Sequence, residues 1–105
     1  MSRFSRRRWG WYLTIWDDRR FKVKLLRFYG MSECSRQRHQ SRGELWLFLR
    51  GAGRFQMGEE LTPVFAGDYK FVAPRSWHQF HSEMGTWVLE VQYGKKCDEG
   101  DIERV

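Results

Sequence analysis

The apolar residues of this 105-residue chain never recur at helical spacing over a sustained stretch. They come in short bursts rich in aromatic and β-branched residues, each cut off by a turn signal such as Gly51-Ala52-Gly53 or Gly67-Asp68. That pattern restricts the chain to strands. It predicts them at about 11–16, 21–29, 36–41, 44–50, 53–57, 60–65, 69–73, 77–81 and 86–93. In the second, Phe21, Val23 and Leu25 fall on one face while Lys22 and Lys24 fall on the other, as a strand of period two requires. Eight or nine short strands in about 100 residues fit an all-β sandwich or barrel. The polar end, KKCDEGDIERV, is expected to form a short helix or an ordered tail.

Six Trp, four Tyr and eight Phe are enough to build one core, and a chain of this length supports one and not two. The longest apolar run, Leu45 to Leu49, is strand-sized, far short of the ~20 residues of a membrane helix. The opening MSRFSRRRWG carries charge but no apolar stretch, so it does not read as a secretory signal and a cytoplasmic location is expected. Cys34 and Cys97 have no paired-ligand spacing and read as reduced packing thiols. These features argue against a helical membrane protein, a disulfide scaffold and a multidomain enzyme. Charge is uneven: residues 1–42 carry +9 and residues 43–105 carry −3. A basic half suggests an anionic partner. We read residues 1–8, with Arg3, Arg6, Arg7 and Arg8, as a basic N-terminal tail and residues 9–105 as the barrel domain. Nucleic acid ranks last among partners, because basic and aromatic residues do not interleave beyond that tail.

The chemical signal lies in the histidines, of which there are three: His39, His78 and His81. Gln37 and His39 sit two apart and share a strand face. Glu44 follows a turn-like Ser-Arg-Gly and opens the next strand with the parity of Trp46 and Phe48. His78 lies much later, on a segment entered through Pro74. One amide oxygen, two imidazoles and one carboxylate suit a divalent metal, with Zn²⁺ the first expectation. The bland alternative makes both histidines ordinary half-buried residues and pairs Glu44 with Arg42 or Arg50. His81, three residues from His78, faces the opposite way on a regular strand.

Two segments resemble the signature motifs of the cupin superfamily, a double-stranded β-helix (jelly-roll) barrel. In the first, Gly30 leads to Gln37-x-His39, then Glu44, then Gly51; in the second, Gly67 leads to Pro74, His78 and Ser82. The chain is most similar to one branch, the C-terminal mannose-6-phosphate isomerase domain of bifunctional mannose-1-phosphate guanylyltransferase/mannose-6-phosphate isomerases. The likeness rests on Trp9-Gly10-Trp11-Tyr12, on Arg20-Phe21-Lys22-Val23-Lys24, on Gln37, His39, Arg42, Glu44 and Trp46, on Glu90-Val91-Gln92-Tyr93-Gly94 and on Asp101-Ile102-Glu103-Arg104. It runs from about residue 6 to residue 105.

The resemblance implies a cupin barrel that holds a divalent metal, Zn²⁺ in that branch, on Gln37, His39, Glu44 and His78. It implies a small-molecule sugar phosphate as ligand and aldose–ketose isomerisation of the mannose-6-phosphate class as the activity. Arg42 is the candidate for catalysis or sugar-phosphate contact, and Glu90 and Lys70 are candidate bases, with Arg42, Lys22, Lys24, Lys70 and Arg75 available to an anion. The chain departs from the branch at Ser41, where the second His of His-x-His stands, at an extra residue near Arg36, at Ala73-Pro74-Arg75 in place of Pro-Pro-Gly, which removes the tight glycine turn, and at Ser82 in place of Asn. These departures keep a second reading open: a non-catalytic sugar- or sugar-phosphate-binding cupin, accessory to sugar-nucleotide or polysaccharide metabolism. Trp46, Phe48, Phe71, Trp87 and Leu89 are expected in the core or at a dimer interface, and a homodimer is the favoured assembly.

Overall fold

A computed structural model describes residues 3–105. It is built from strands alone: β1 (Phe4–Arg7), β2 (Gly10–Asp17), β3 (Phe21–Phe28), β4 (Ser32–Glu33), β5 (Gln37–Arg38), β6 (Arg42–Met57), β7 (Glu60–Phe65), β8 (Tyr69–Val72), β9 (His78–Gly94) and β10 (Glu103–Arg104). All pairings are antiparallel within one sheet that runs β1-β2-β3-β9-β5-β10, with β6, β7, β8 and β4 attached through β6 and β9. The sheet curls into the jelly-roll barrel expected from the sequence. No helix among the described residues is long and apolar enough to cross a membrane.

Strands β6 and β9 form the spine. They pair over nearly their whole length, from Arg42 opposite Gly94 to Met57 opposite His78. The sequence divides each into two strands, whereas the chain passes through the intervening glycines without stopping. At Gly51 the backbone takes φ 98°, and a Cβ there would lie 2.4 Å from the Gly85 carbonyl oxygen. Only glycine fits that bend, and the ladder shifts register beside it. The signal was real, but it marks a corner between two sheet regions rather than a loop.

One further segment differs from expectation, and at the C-terminus the ordered tail, one of the two alternatives, is what forms. Phe4–Arg7 is not a tail but an edge strand, paired with β2 from Phe4 opposite Leu13 to Arg7 opposite Gly10; Met1 and Ser2 lie outside the described residues. The C-terminal residues form no helix; they close over the barrel and end in β10, paired with β5.

Inward positions divide the interior into two regions. One is apolar: Phe28, Phe48, Phe55, Phe80 and Val88 are all at most 1% exposed, and Phe28 meets Phe80 edge-on at 4.9 Å. Each such ring contributes roughly 1.5–3 kcal/mol by leaving water. Trp9 stacks on Phe28 at 4.2 Å, which seals the β1–β2 turn onto the core. The other region is polar: Lys22, Lys24, His39, Arg42, Glu44, His78, Glu90 and Gln92 are all buried. Charged groups enter an interior only when paired, so this cluster carries the functional argument.

Candidate metal centre

Glu44 is the hub, and it is 1% exposed. Its Oε1 accepts from the Trp46 indole Nε1 at 2.8 Å, and its Oε2 accepts from Arg42 Nε at 3.1 Å. His39 Nε2 lies 3.1 Å from Oε2 and His78 Nε2 lies 3.3 Å from Oε1. Strand parity brings them together. Glu44 and Trp46 alternate inward on β6, His78 opens β9, and His39 sits where β5 turns into β6.

The second nitrogen of each ring settles the tautomers. His39 Nδ1 is 2.7 Å from the Asp101 carbonyl oxygen, and His78 Nδ1 is 3.0 Å from that of Ser76. A carbonyl only accepts, so both Nδ1 atoms carry the proton. In a neutral ring each Nε2 then presents a lone pair toward the carboxylate. Two lone pairs facing a carboxylate call for a cation among them. Arg42 meets part of that demand, with Nη2 3.1 Å from His39 Nε2 and 3.0 Å from Glu44 Oε2. Nothing meets it at His78, whose Nε2 is buried without a hydrogen-bond partner: it is close to Glu44 but out of line. One ligand atom from each of His39, Glu44 and His78 lies within 4.8 Å of the others. Carbonyls that orient the distal ring nitrogens are the usual support of metal-binding histidines, so this donor set fits a divalent ion of the zinc class.

Charge states follow the same geometry. Burial would raise the pKa of Glu44, but the His39 and His78 contacts together with Arg42 hold it well below the usual carboxylate range. Burial lowers the pKa of His78, yet its contact with Glu44 prevails and leaves it above its ordinary value. Glu90 behaves oppositely. Burial and the nearby Glu44 charge push its pKa up from 4.5 to about 7 against Lys24, Arg42 and the Gln92 amide, which donates to Oε1 at 2.8 Å. A carboxyl poised near neutrality in a cleft has the property a proton-transfer group needs.

A cavity of about 910 Å³ adjoins the cluster. Gln37, Arg42, Trp46, Glu90 and Gln92 line it, so Arg42 and Trp46 connect its wall directly to Glu44.

Among the candidates from sequence, His39, Glu44 and His78 converge. Gln37 lines the cavity on β5, paired in register with His78, and no hydrogen bond ties its amide to the cluster among the described residues. Arg42 does pair with Glu44, as the bland alternative had it, and it does so inside the site. Glu90 faces the cavity, whereas Lys70, opposite Trp46 on β8, is not part of its lining. Lys22 and Lys24 are committed to Glu99 at 3.1 and 2.6 Å. His81 points away and pairs with Glu33 at 2.7 Å. Both cysteines are free and buried. The sequence reading missed the Trp46 indole donor, although its parity with Glu44 was the available clue. It also missed the closing role of Asp101, whose carboxylate accepts from the Gln40 and Ser41 amides at 2.9 and 2.8 Å.

Comparison with known proteins identifies the family and the fold. The family described as "Mannose-6-phosphate isomerase C-terminal" matches residues 1–105. The xanthan biosynthesis protein XanB of Xanthomonas campestris pv. campestris is 28% identical over 100 residues, covering 93% of this chain and 21% of that protein. The alginate biosynthesis protein AlgA of Pseudomonas putida is 27% identical over the same shares. The chain therefore spans about a fifth of the length of these relatives. Among solved structures, Bacillus subtilis oxalate decarboxylase OxdC superposes with TM-score 0.86 at 14% identity, over 99% of this chain and 30% of that one. KdgF from Halomonas sp. gives TM-score 0.80 at 9% identity, over 89% and 88%. At such identities the structural likeness speaks for the fold alone.

Proposed function

Because the chain belongs to the mannose-6-phosphate isomerase C-terminal family, we propose that it binds a sugar phosphate in the cavity beside a divalent metal, Zn²⁺ for preference, and interconverts its aldose and ketose forms. The observation that carries this reading is the buried Glu44 carboxylate faced by two imidazole nitrogens whose distal nitrogens are pinned to carbonyls.

His39, Glu44 and His78 would hold the ion, with Gln37 as the fourth donor. When bound, the ion supplies Lewis-acid stabilisation of the negative charge that develops on the sugar oxygens. The chain's own groups do the rest. Glu90, ionised above about pH 7, takes the proton from the hydroxyl-bearing carbon next to the carbonyl and delivers it to the carbonyl carbon, while the hydroxyl proton passes through solvent to the former carbonyl oxygen. Gln92 holds the Glu90 carboxyl in place. Arg42 and Trp46 fix the orientation of Glu44. The apolar rings behind His78, Phe55 among them at 6.3 Å, keep water from that side. Lys70 is a weaker candidate base, since it does not line the cavity.

Metal analysis of the purified protein, combined with a coupled mannose 6-phosphate assay, tests the reading. Metal together with turnover supports it. Loss of metal in His39→Ala and in His78→Ala, with retention in His81→Ala, supports the ligand assignment; equal retention in all three overturns it. Ser41, which stands where the branch has a histidine, favours a second reading. Metal without turnover selects it: a sugar-phosphate-binding cupin that does not catalyse.

A further inference from the structure

The basic N-terminal segment finds a place in the cavity. β1 and β10 are the two ends of the sheet path β1-β2-β3-β9-β5-β10. Arg7, on β1, and Arg104, on β10, line the same cavity, so the sheet has curled until its two edges flank one opening. Arg8, from the turn after β1, and Arg36, just before β5, line it too. Arg36 adjoins the C-terminal edge, because its carbonyl accepts from the Val105 amide at 3.1 Å.

Charge compensation around this cavity is one-sided. Its side-chain carboxylates are those of Glu33, Glu90 and Glu99. Glu99 is paired with Lys22 and Lys24, Glu90 is pushed toward its neutral form, and Glu33, which contacts His81 at 2.7 Å, has its side chain 60% exposed to solvent. Lys24 and Arg42 are likewise taken, by Glu99 and Glu44. Arg7, Arg8, Arg36 and Arg104 form no ion pair among the described residues. Their neighbours are neutral: Arg7 reaches the Tyr12 hydroxyl at 3.3 Å and Arg104 Nε reaches Ser35 Oγ at 3.2 Å. Arg36 Nη2 reaches the Gly58 carbonyl at 3.5 Å and its guanidinium lies over the Trp77 ring, while its Nε is a buried donor without a hydrogen-bond partner. A cavity in which four guanidiniums keep no carboxylate partner suits an anion, and guanidinium is matched to the forked oxygens of a phosphoryl group.

We propose that Arg7, Arg8, Arg36 and Arg104 form the phosphoryl-binding site of this cavity, so that β1 is part of the ligand site. The proposal rests on the sugar-phosphate reading above and deepens it. It also replaces Lys22 and Lys24 as anion binders, and it gives Arg36, the residue by which this chain exceeds the family spacing, a role in affinity.

Isothermal titration of the full chain with inorganic phosphate and with mannose 6-phosphate, against mannose as the neutral control, tests it. Arg36→Gln and Arg104→Gln are each expected to weaken phosphate binding about tenfold, and Arg7→Gln combined with Arg8→Gln at least as much. Arg19→Gln, an exposed arginine outside the cavity, is expected to leave binding unchanged. Circular dichroism melts of each variant show that the fold persists. Binding should weaken as salt rises. Absence of phosphate binding in the wild type, or equal losses in the Arg19 control, overturns the proposal. Turnover of mannose 6-phosphate with KM unmoved by the arginine changes overturns it while leaving the isomerase reading intact. Phosphate binding that depends on these arginines in a chain without metal or turnover upholds it and removes the isomerase reading.

Discussion

Two carboxylates in one barrel are driven in opposite directions by their surroundings. Glu44 accepts from the Trp46 indole and the Arg42 guanidinium beside two imidazoles and stays ionised, while Glu90 has a single amide donor and a like charge nearby. The sign of the Glu90 effect on stability follows. Its folded pKa, about 7, lies above the ordinary 4.5. Folding therefore costs nothing at this site below about pH 4.5, and the cost grows as pH rises to about 7 and stays in full above it. Glu90→Gln keeps an oxygen for the Gln92 amide and removes the titration. It should raise the melting temperature at pH 8 and leave it unchanged at pH 4, and in an active protein it should remove proton transfer. A melting-temperature profile that runs parallel to wild type across this range would contradict the assignment. At this scale the sequence was informative about residue types and silent about state. The spacing of Gln37, His39 and Glu44 exposed the donor set, but no local pattern tells that Nδ1 of His39 donates to a carbonyl 62 positions away.

At the scale of the element, the turn before His78 is instructive. Replacing the family glycine by Arg75 suggests that the tight turn is gone, yet Arg75 adopts φ 69° and donates its amide to the His39 carbonyl at 2.6 Å. The hydrogen bond retains the left-handed turn and the arginine bears the strain, about 1–2 kcal/mol. Arg75→Gly removes that strain and gives back roughly 0.5–1 kcal/mol through the freer unfolded backbone. The net expectation is a gain of up to about 1 kcal/mol, a rise of a few degrees in melting temperature; a fall would show that the Arg75 side chain contributes contacts of its own. The segment before β10 offers a second test. Desolvation against the barrel raises the pKa of the half-exposed Glu99, but Lys24 and Lys22 bring it down to about 2. A depressed carboxylate stabilises the fold above its ordinary 4.5, and that stability drains as pH falls toward about 2. Glu99→Gln should flatten this acid limb and destabilise the protein at neutral pH, because Lys24 would remain buried without its counter-charge. Urea titrations at pH 3 and pH 7 read both effects. Strand identity was legible because alternation is local. The fusion of predicted strands into β6 and β9 was not, because it depends on what Gly51 meets across the barrel at Gly85.

The outer surface of the whole molecule carries an apolar layer that a barrel alone does not need. Cross-strand registers align Leu13, Leu25, Leu89, Leu47 and Tyr69 in one row, and Trp16, Val23, Val91, Leu45 and Phe71 in the next, with Phe21 opposite Tyr93 beside them. Phe71, Trp87 and Leu89, expected in the core or at an interface, thus separate from Trp46 and Phe48: the first group faces outward, the second inward. Trp16, Tyr69 and Phe71 are 55%, 60% and 57% exposed. With Leu13, Phe21 and Tyr93 they leave on the order of 600–700 Å² of apolar surface open, taking the ~150–250 Å² that a buried aromatic side chain covers. An area of that size exceeds the usual patch on a soluble monomer. Doubled by a second copy, it reaches about 1,300 Å², within the range of specific interfaces. Both rows are uncharged, which suits the two-fold packing of sheet on sheet. The expected assembly is therefore a homodimer through this face, with the arginine-lined cavities left open. Sedimentation velocity at micromolar concentration should show a dimer, and Tyr69→Glu with Phe71→Glu should yield a monomer that keeps its circular dichroism spectrum and its phosphate binding. A wild-type monomer under those conditions would assign the layer to a different partner.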